Sequence, residues 1–172
     1  MNVRTVVRAG GVMTMLMASV AGLQGRAAPV EASSRLIHAT GTLTLLGADS
    51  FEFIPREQQC VLKFHQTVAI AGTLEGTDSV DAQLRWFATC DEVFATLGAG
   101  IVRTYNAVGH YVGVDGKEAT LRVVGRADAT GDYEGIIAVQ GDWNGILDET
   151  ASDPPPGSPL ISHYDGFLVE RG

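Results

Sequence analysis

From Leu36 onward, apolar and β-branched side chains alternate with polar ones, and Gly, Asp and Asn punctuate the alternation. A period of two marks a strand with one buried face. The pattern predicts strands over Leu36–Leu46, Phe51–Arg56, Cys60–Leu74, Ser79–Thr89, Ile101–Asn106, His110–Val114, Ala119–Arg126, Tyr133–Trp143 and His163–Val169. Turn signals separate them at Gly47-Ala-Asp49, Glu75-Gly-Thr-Asp78, Asp115-Gly-Lys117 and Thr130-Gly-Asp132. No stretch reads as an amphipathic helix, and Asp91–Leu97 has room for about two turns at most.

The clearest local element is a hairpin from Cys60 to Cys90. Leu62, Phe64, Val68, Ile70 and Leu74 share one parity, broken by Gln66 and Gly72; Val80, Ala82, Leu84, Trp86 and Ala88 share the matching parity of the second strand. Lys63, His65, Asp81, Gln83 and Arg85 fall on the opposite face. If the chain reverses near Glu75-Gly76, opposite residues have numbers summing to roughly 150 to 153. Cys60 and Cys90 satisfy that condition and lie on the apolar parity, so a Cys60–Cys90 disulfide is expected. The competing reading is two buried thiols acting as small apolar side chains. Two cysteines without nearby histidines do not complete a zinc site, and no metal is expected.

The fold expected is all-β: a single closed antiparallel β-barrel of about eight strands with little helix. Long strands, short connections and 21 glycines available for bending favour the barrel over a sandwich.

Ahead of the strands, Arg4 and Arg8 give a basic head, Ala9–Leu23 carries no charge, and small residues follow in Gly25–Ala32. This is the layout of a secretory signal peptide rather than a spanning helix, which needs about 20 consecutive apolar residues. Cleavage is expected after Ala32, with Val30 and Ala32 as the small-residue pair; Gly25 and Ala27 offer a second exit, with Pro29 close behind it. Neither exit carries the Cys of a lipoprotein. Residues 1–32 are thus read as a cleaved signal and 33–172 as one barrel domain, secreted or periplasmic, with no stable membrane anchor after cleavage.

Removing residues 1–32 takes Lys plus Arg from 12 to 9 and Asp plus Glu from 20 to 19, moving the formal net charge from −8 to −10. That acidity argues against nucleic acid and against anionic lipid surfaces as partners. An oligomer stays open.

Two segments resemble a known family. Thr67-Val-Ala-Ile-Ala-Gly-Thr-Leu-Glu-Gly-Thr77 is similar to the F-x-G-x-L-x-G-T hairpin of small bacterial barrels of unknown function related to allene oxide cyclase. Within Gly125–Gly141, Ala129-Thr-Gly-Asp-Tyr-Glu-Gly135 resembles the G-T-G-x-Y-x-G segment of allene oxide cyclase and dirigent barrels. The resemblance implies a calycin/allene oxide cyclase-like barrel of eight strands whose interior holds an apolar small molecule. It also implies relatives that steer cyclisations by holding a substrate in one conformation. No catalytic motif of the family is matched, so no catalytic residue is carried over.

His65, with Lys63 and Arg85 on the same hairpin face, can bind a carboxylate if that face lines the barrel; otherwise the set is a solvated outer face. His163 and Asp165 share a parity and, with Tyr105 or Tyr111, would make a polar cluster at a barrel mouth; the alternative is surface alternation. His110 is a further imidazole beside a strand, as is His38. Trp143 reads as core packing or as an aromatic pocket wall, and Trp86 as core. Asp148–Gly157 reads as an acidic, stiff loop able to cover one barrel opening, and its Asp148, Glu149 and Asp153 do not match a calcium-loop spacing. Ligand-binding candidates are therefore His65, Arg85, Tyr105, His110, Trp143, His163 and Asp165. No nucleophile elbow, zinc-protease helix, phosphate loop or dinucleotide fingerprint occurs, and no cofactor is implied. The expected function is interior binding of a small, largely apolar molecule. The alternatives are a cofactor-free cyclase or isomerase of the allene oxide cyclase type, and a non-catalytic structural or interaction domain.

Overall fold

The computed structural model describes residues 34–155 and 157–171; the segment read from sequence as a signal, residues 1–32, lies outside them. Eight antiparallel strands close into one barrel in chain order: β1 (Arg35–Arg56), β2 (Gln59–Gly72), β3 (Gly76–Trp86), β4 (Arg103–Gly113), β5 (Glu118–Ala127), β6 (Tyr133–Gly141), β7 (Trp143–Ala151) and β8 (Ile161–Glu170). A single short helix among the described residues, α1 (Cys90–Thr96), joins β3 to β4. The all-β closed barrel is the fold the alternation predicts. Closure is made by β1 against β8, in a continuous ladder from Arg35↔Glu170 to Thr44↔Ile161.

Beyond shifts of two or three residues at strand ends, the strands differ from the sequence expectation in three places, each with a physical cause. The segments ending at Leu46 and starting at Phe51 are one strand. Its register against β2 shifts between Leu45 and Gly47 and again between Asp49 and Glu52, so bulges bend the strand instead of ending it. Ser50, within the second bulge, takes φ 55°. The segments on either side of Ala107–Gly109 are likewise one strand, β4, paired along its length with β3. The third difference is β7. Asp148–Ala151, expected in a loop, is strand, because Gly141-Asp142 turns the chain and Trp143–Ala151 returns along β6.

The hairpin register also differs. Cys60 lies opposite Trp86, not Cys90, because the reversal falls at Thr73–Glu75. The disulfide nonetheless forms, with the two Cα atoms 4.7 Å apart. β3 ends at Trp86, and Thr89 then caps α1: its side chain takes the Glu92 N–H at 3.4 Å while the Glu92 carboxylate takes the Thr89 N–H at 2.8 Å. This capping box fixes the helix start and brings Cys90, at the first helical position, back over Cys60. Leu62, Trp86 and Val93 pack around the bridge.

The two barrel ends are filled differently. At the end carrying the β2–β3, β4–β5 and β6–β7 turns, Tyr111, Trp143, Tyr164, Leu74 and Leu168 pack solidly. Tyr164 Oη accepts the Leu74 N–H at 3.1 Å, and Tyr111 Oη donates to the Glu75 carbonyl at 2.9 Å. These bonds pin the β2–β3 turn beneath the core. At the other end the disulfide and α1 sit on the rim.

A bridge spanning 30 residues of sequence is worth ~3–4 kcal/mol in the chain-entropy picture. Replacing both Cys60 and Cys90 by Ala should lower the melting temperature by on the order of 10 °C. Equal melting of the oxidised wild type and this variant would show that the bridge carries no stability.

Candidate functional site

Inward-facing positions on all eight strands stop filling the barrel above the packed end and leave a cavity of about 440 Å³. Its wall is mainly apolar, formed by side chains such as Leu43, Val68, Val80, Leu121, Val123 and Ile137. Its rim takes Ala48 and Phe51 from the bulged part of β1 and Ser152, Asp153 and Leu160 from the β7–β8 connection. The loop read as able to cover a barrel opening therefore contributes to the rim of this one. Phe51 stacks on Phe64 with centroids 6.1 Å apart, and Phe53 meets Phe94 of α1 edge-on at 4.9 Å. The second bulge brings Phe51 to the edge of the cavity.

Polar groups enter this apolar space at a few inward positions. Gln66 of β2 donates through Nε2 to Tyr105 Oη of β4 at 2.6 Å. Tyr133 Oη of β6 donates to Glu149 Oε2 of β7 at 3.0 Å, and Ser162 Oγ of β8 donates to Glu149 Oε1 at 2.5 Å. The Tyr105 and Tyr133 rings meet edge-to-face, centroids 6.3 Å apart. The seat of Tyr133 explains the Gly131-Asp-Tyr-Glu-Gly135 motif. Gly125 and Gly135 are cross-strand partners, and a Cβ on either would come within 2.3 Å of the Tyr133 hydroxyl oxygen. Two adjacent glycines thus open the groove in which the ring lies and from which its hydroxyl reaches Glu149.

Asp78 of β3 is the outlier. It is only 4% exposed, it lines the cavity, and its Oδ1 has no hydrogen-bond partner. It fits because Gly109, its neighbour on β4, has no side chain: a Cβ there would lie 2.2 Å from Oδ2. Burial disfavours the charged form, offset only in part by the Ser79 backbone N–H, and pushes the Asp78 carboxyl up to about 7. Burial also raises Glu149, against the lowering effect of Ser162 and Tyr133. The Tyr105 hydroxyl is pushed above its ordinary range by burial first, and then by the Glu149 and Asp78 charges. Tyr105 thus stands within electrostatic reach of both carboxyls. Arg103 also lines the cavity, but its guanidinium is held at the rim by Asp153, at 2.5 Å.

The site residues expected from sequence are distributed over both faces of the wall. Tyr105 lies in the cavity. Trp143 is in the packed end, 5.7 Å from the Tyr111 ring and under the Lys117 ammonium, so it serves as core there. His65, Arg85, His110, His163 and Asp165 are on the outer wall. His65 Nδ1 lies 3.1 Å from Asp81 and its Nε2 3.2 Å from Ser79 Oγ. His110 faces Glu118 at 3.5 Å, Asp165 faces His38 at 3.1 Å, and Arg85 and His163 are exposed. The barrel wall therefore separates His163 and Asp165 from Tyr105 and Tyr111. Among the described residues, no group of three or more His, Cys, Asp or Glu side chains is arranged to hold a metal ion, and no helix is long and apolar enough to cross a membrane.

Asp78, Glu149, Tyr133 and Gln66 were not expected as site residues. Gln66 had a signal, since it breaks the apolar row of β2. Asp78 had one too, sharing the parity of Val80, Ala82 and Leu84. Glu149 had none while Trp143–Ala151 was not recognised as a strand.

No family model and no curated protein matches the chain.

The buried Asp78 carboxyl makes stability fall with pH. Below about pH 3.8 it is protonated in both native and unfolded chains and costs nothing. Between 3.8 and about 7 the unfolded chain releases the proton that the native barrel retains, so stability is lost as pH rises. Above about 7 the loss is complete, at up to ~4 kcal/mol. Asp78→Asn should therefore stabilise the protein by ~2–4 kcal/mol at about pH 8 and by little at about pH 4. Urea unfolding at the two pH values checks this, and an equal effect at both would refute the assignment.

Proposed function

We propose that this protein is an exported barrel that binds a small, largely apolar molecule in its interior. The observation that carries the reading is the cavity of about 440 Å³, apolar in its wall and polar at a few inward positions. Binding pockets for small molecules have this size and composition: apolar surface supplies affinity and a few fixed polar groups set orientation. A purely structural barrel has no use for such a space, because filling it with larger side chains would add stability. The basic and apolar leader in the sequence and the Cys60–Cys90 bridge support an oxidising compartment outside the cytoplasm. The likeness of the two motif segments to allene oxide cyclase-like barrels supports the same reading.

A second reading, a cofactor-free cyclase or isomerase, is favoured by one observation. Asp78 is a carboxyl buried in the cavity, without a partner at Oδ1 and able to exchange a proton near neutral pH. That is the state a general acid or base requires.

Titration with the neutral fluorophore N-phenyl-1-naphthylamine tests the binding reading. Saturable one-to-one enhancement is expected, weakened by ~10-fold or more in Val123→Trp, whose indole would occupy the cavity while the strand stays intact. Failure of the wild type to saturate, or equal binding by a folded Val123→Trp protein, would overturn it.

A further inference from the structure

This inference rests on the interior-binding reading and names the chemistry of the ligand. Several polar groups of the cavity are already engaged within the protein. Glu149 accepts from two hydroxyls, Tyr105 accepts from Gln66, and Arg103 is neutralised by Asp153. Among the described residues Asp78 Oδ1 is the buried side-chain oxygen with no partner, and it packs against the Gly109 backbone on a side chain that lines the cavity.

We propose that the cavity selects apolar amines, the protonated nitrogen of the ligand sitting on the Asp78 carboxylate and its hydrocarbon body lying along the Val80, Val123 and Ile137 wall.

Three comparisons of ligand classes favour this. A carboxylate or phosphate would bring a further negative charge beside Asp78 and Glu149, in a space with one guanidinium already engaged. The low dielectric makes that repulsion costly. A hydrocarbon would leave Asp78 buried and unpaired, as it is in the free protein. An alcohol can donate one hydrogen bond but supplies no charge. An ammonium supplies both, and because the free protein already bears the desolvation of the carboxylate, much of the usual cost of burying an ion pair precedes binding. The net charge of the whole chain, −8, also favours the approach of a cation.

The test is calorimetric titration of the folded protein, at about pH 8 where Asp78 is ionised, with three ligands sharing one body: n-octylamine, n-octanol and octanoate. The amine should bind ~10-fold or more tightly than the alcohol, and octanoate most weakly. In Asp78→Asn the amine advantage over octanol should fall below ~3-fold while octanol binding persists. Should that variant fail to fold, the wild type at about pH 5 serves instead. Asp78 is then protonated, and the amine should lose its advantage there; the other titratable groups of the cavity are Glu149, Tyr105, Tyr133 and the Arg103–Asp153 pair. Octanol binding with no amine preference in the wild type overturns the amine assignment and leaves interior binding standing. A preference that survives in folded Asp78→Asn overturns the placement on Asp78. Absence of binding by all three ligands overturns interior binding as well.

Discussion

Everything in this molecule depends on the ladder that joins its first strand to its last. An open sheet of seven or eight strands exposes two edges whose N–H and C=O groups seek partners. The Arg35↔Glu170 to Thr44↔Ile161 ladder removes both edges and encloses an interior. The ladder stops at Thr44 although β1 runs on to Arg56. Beyond it β1 pairs only with β2, and the bulges after Leu45 and Asp49 swing that ribbon across the rim. Closure and opening are thus set by one strand: its first half seals the seam, and its second half shapes the mouth.

Within the closed wall, side-chain volume decides what is core and what is cavity. Towards the turn-bearing end the inward positions hold Tyr111, Trp143 and Tyr164, and their polar atoms find partners in the Glu75 and Leu74 backbone or, for the indole face, in the Lys117 ammonium. Towards the mouth the inward positions hold Leu, Val and Ala beside a few polar groups, and the volume is not filled. The disulfide, with α1 and Trp86, stiffens the rim where packing alone is thinnest. A rigid rim limits how far the cavity can collapse, so the vacancy above the core persists at the expense of packing energy.

The strand pattern made the fold readable and hid most of the site for the same reason. On β2 and β3 the alternation is nearly unbroken, so the inward row from Leu62 to Ile70 and its partner row from Val80 to Trp86 could be read directly. β7 carries Glu149 inward and Ile146 outward, which inverts the expected order and made it look like a loop. Asp78 stands two residues after a turn glycine and read as turn chemistry. His65, Arg85, His110, His163 and Asp165 drew attention because their side chains are reactive. Yet parity alone assigns a residue to a face, not to the inside of a barrel. The alternate face of each of their strands is the one filled by apolar groups, and that places these five outside. Functional positions break local rules, so the residues hardest to read from alternation are the polar ones that alternation would have placed elsewhere.

Asp78 is the inward position of β3 that costs the fold most clearly. A Leu or Val at this inward position would continue the apolar row of β3 without any desolvation cost. A carboxyl there, accommodated by a glycine on the neighbouring strand and left unbonded at one oxygen, weakens the native state at neutral pH. Glu149 differs, because two hydroxyls from adjoining strands surround it and make its burial tolerable. The fold itself provides space for this carboxyl and, beyond the Ser79 backbone N–H, no partner for it among the described residues. The two carboxyls thus differ in their surroundings: Glu149 ties the cavity wall together through Tyr133 and Ser162, while Asp78 keeps one oxygen unbonded.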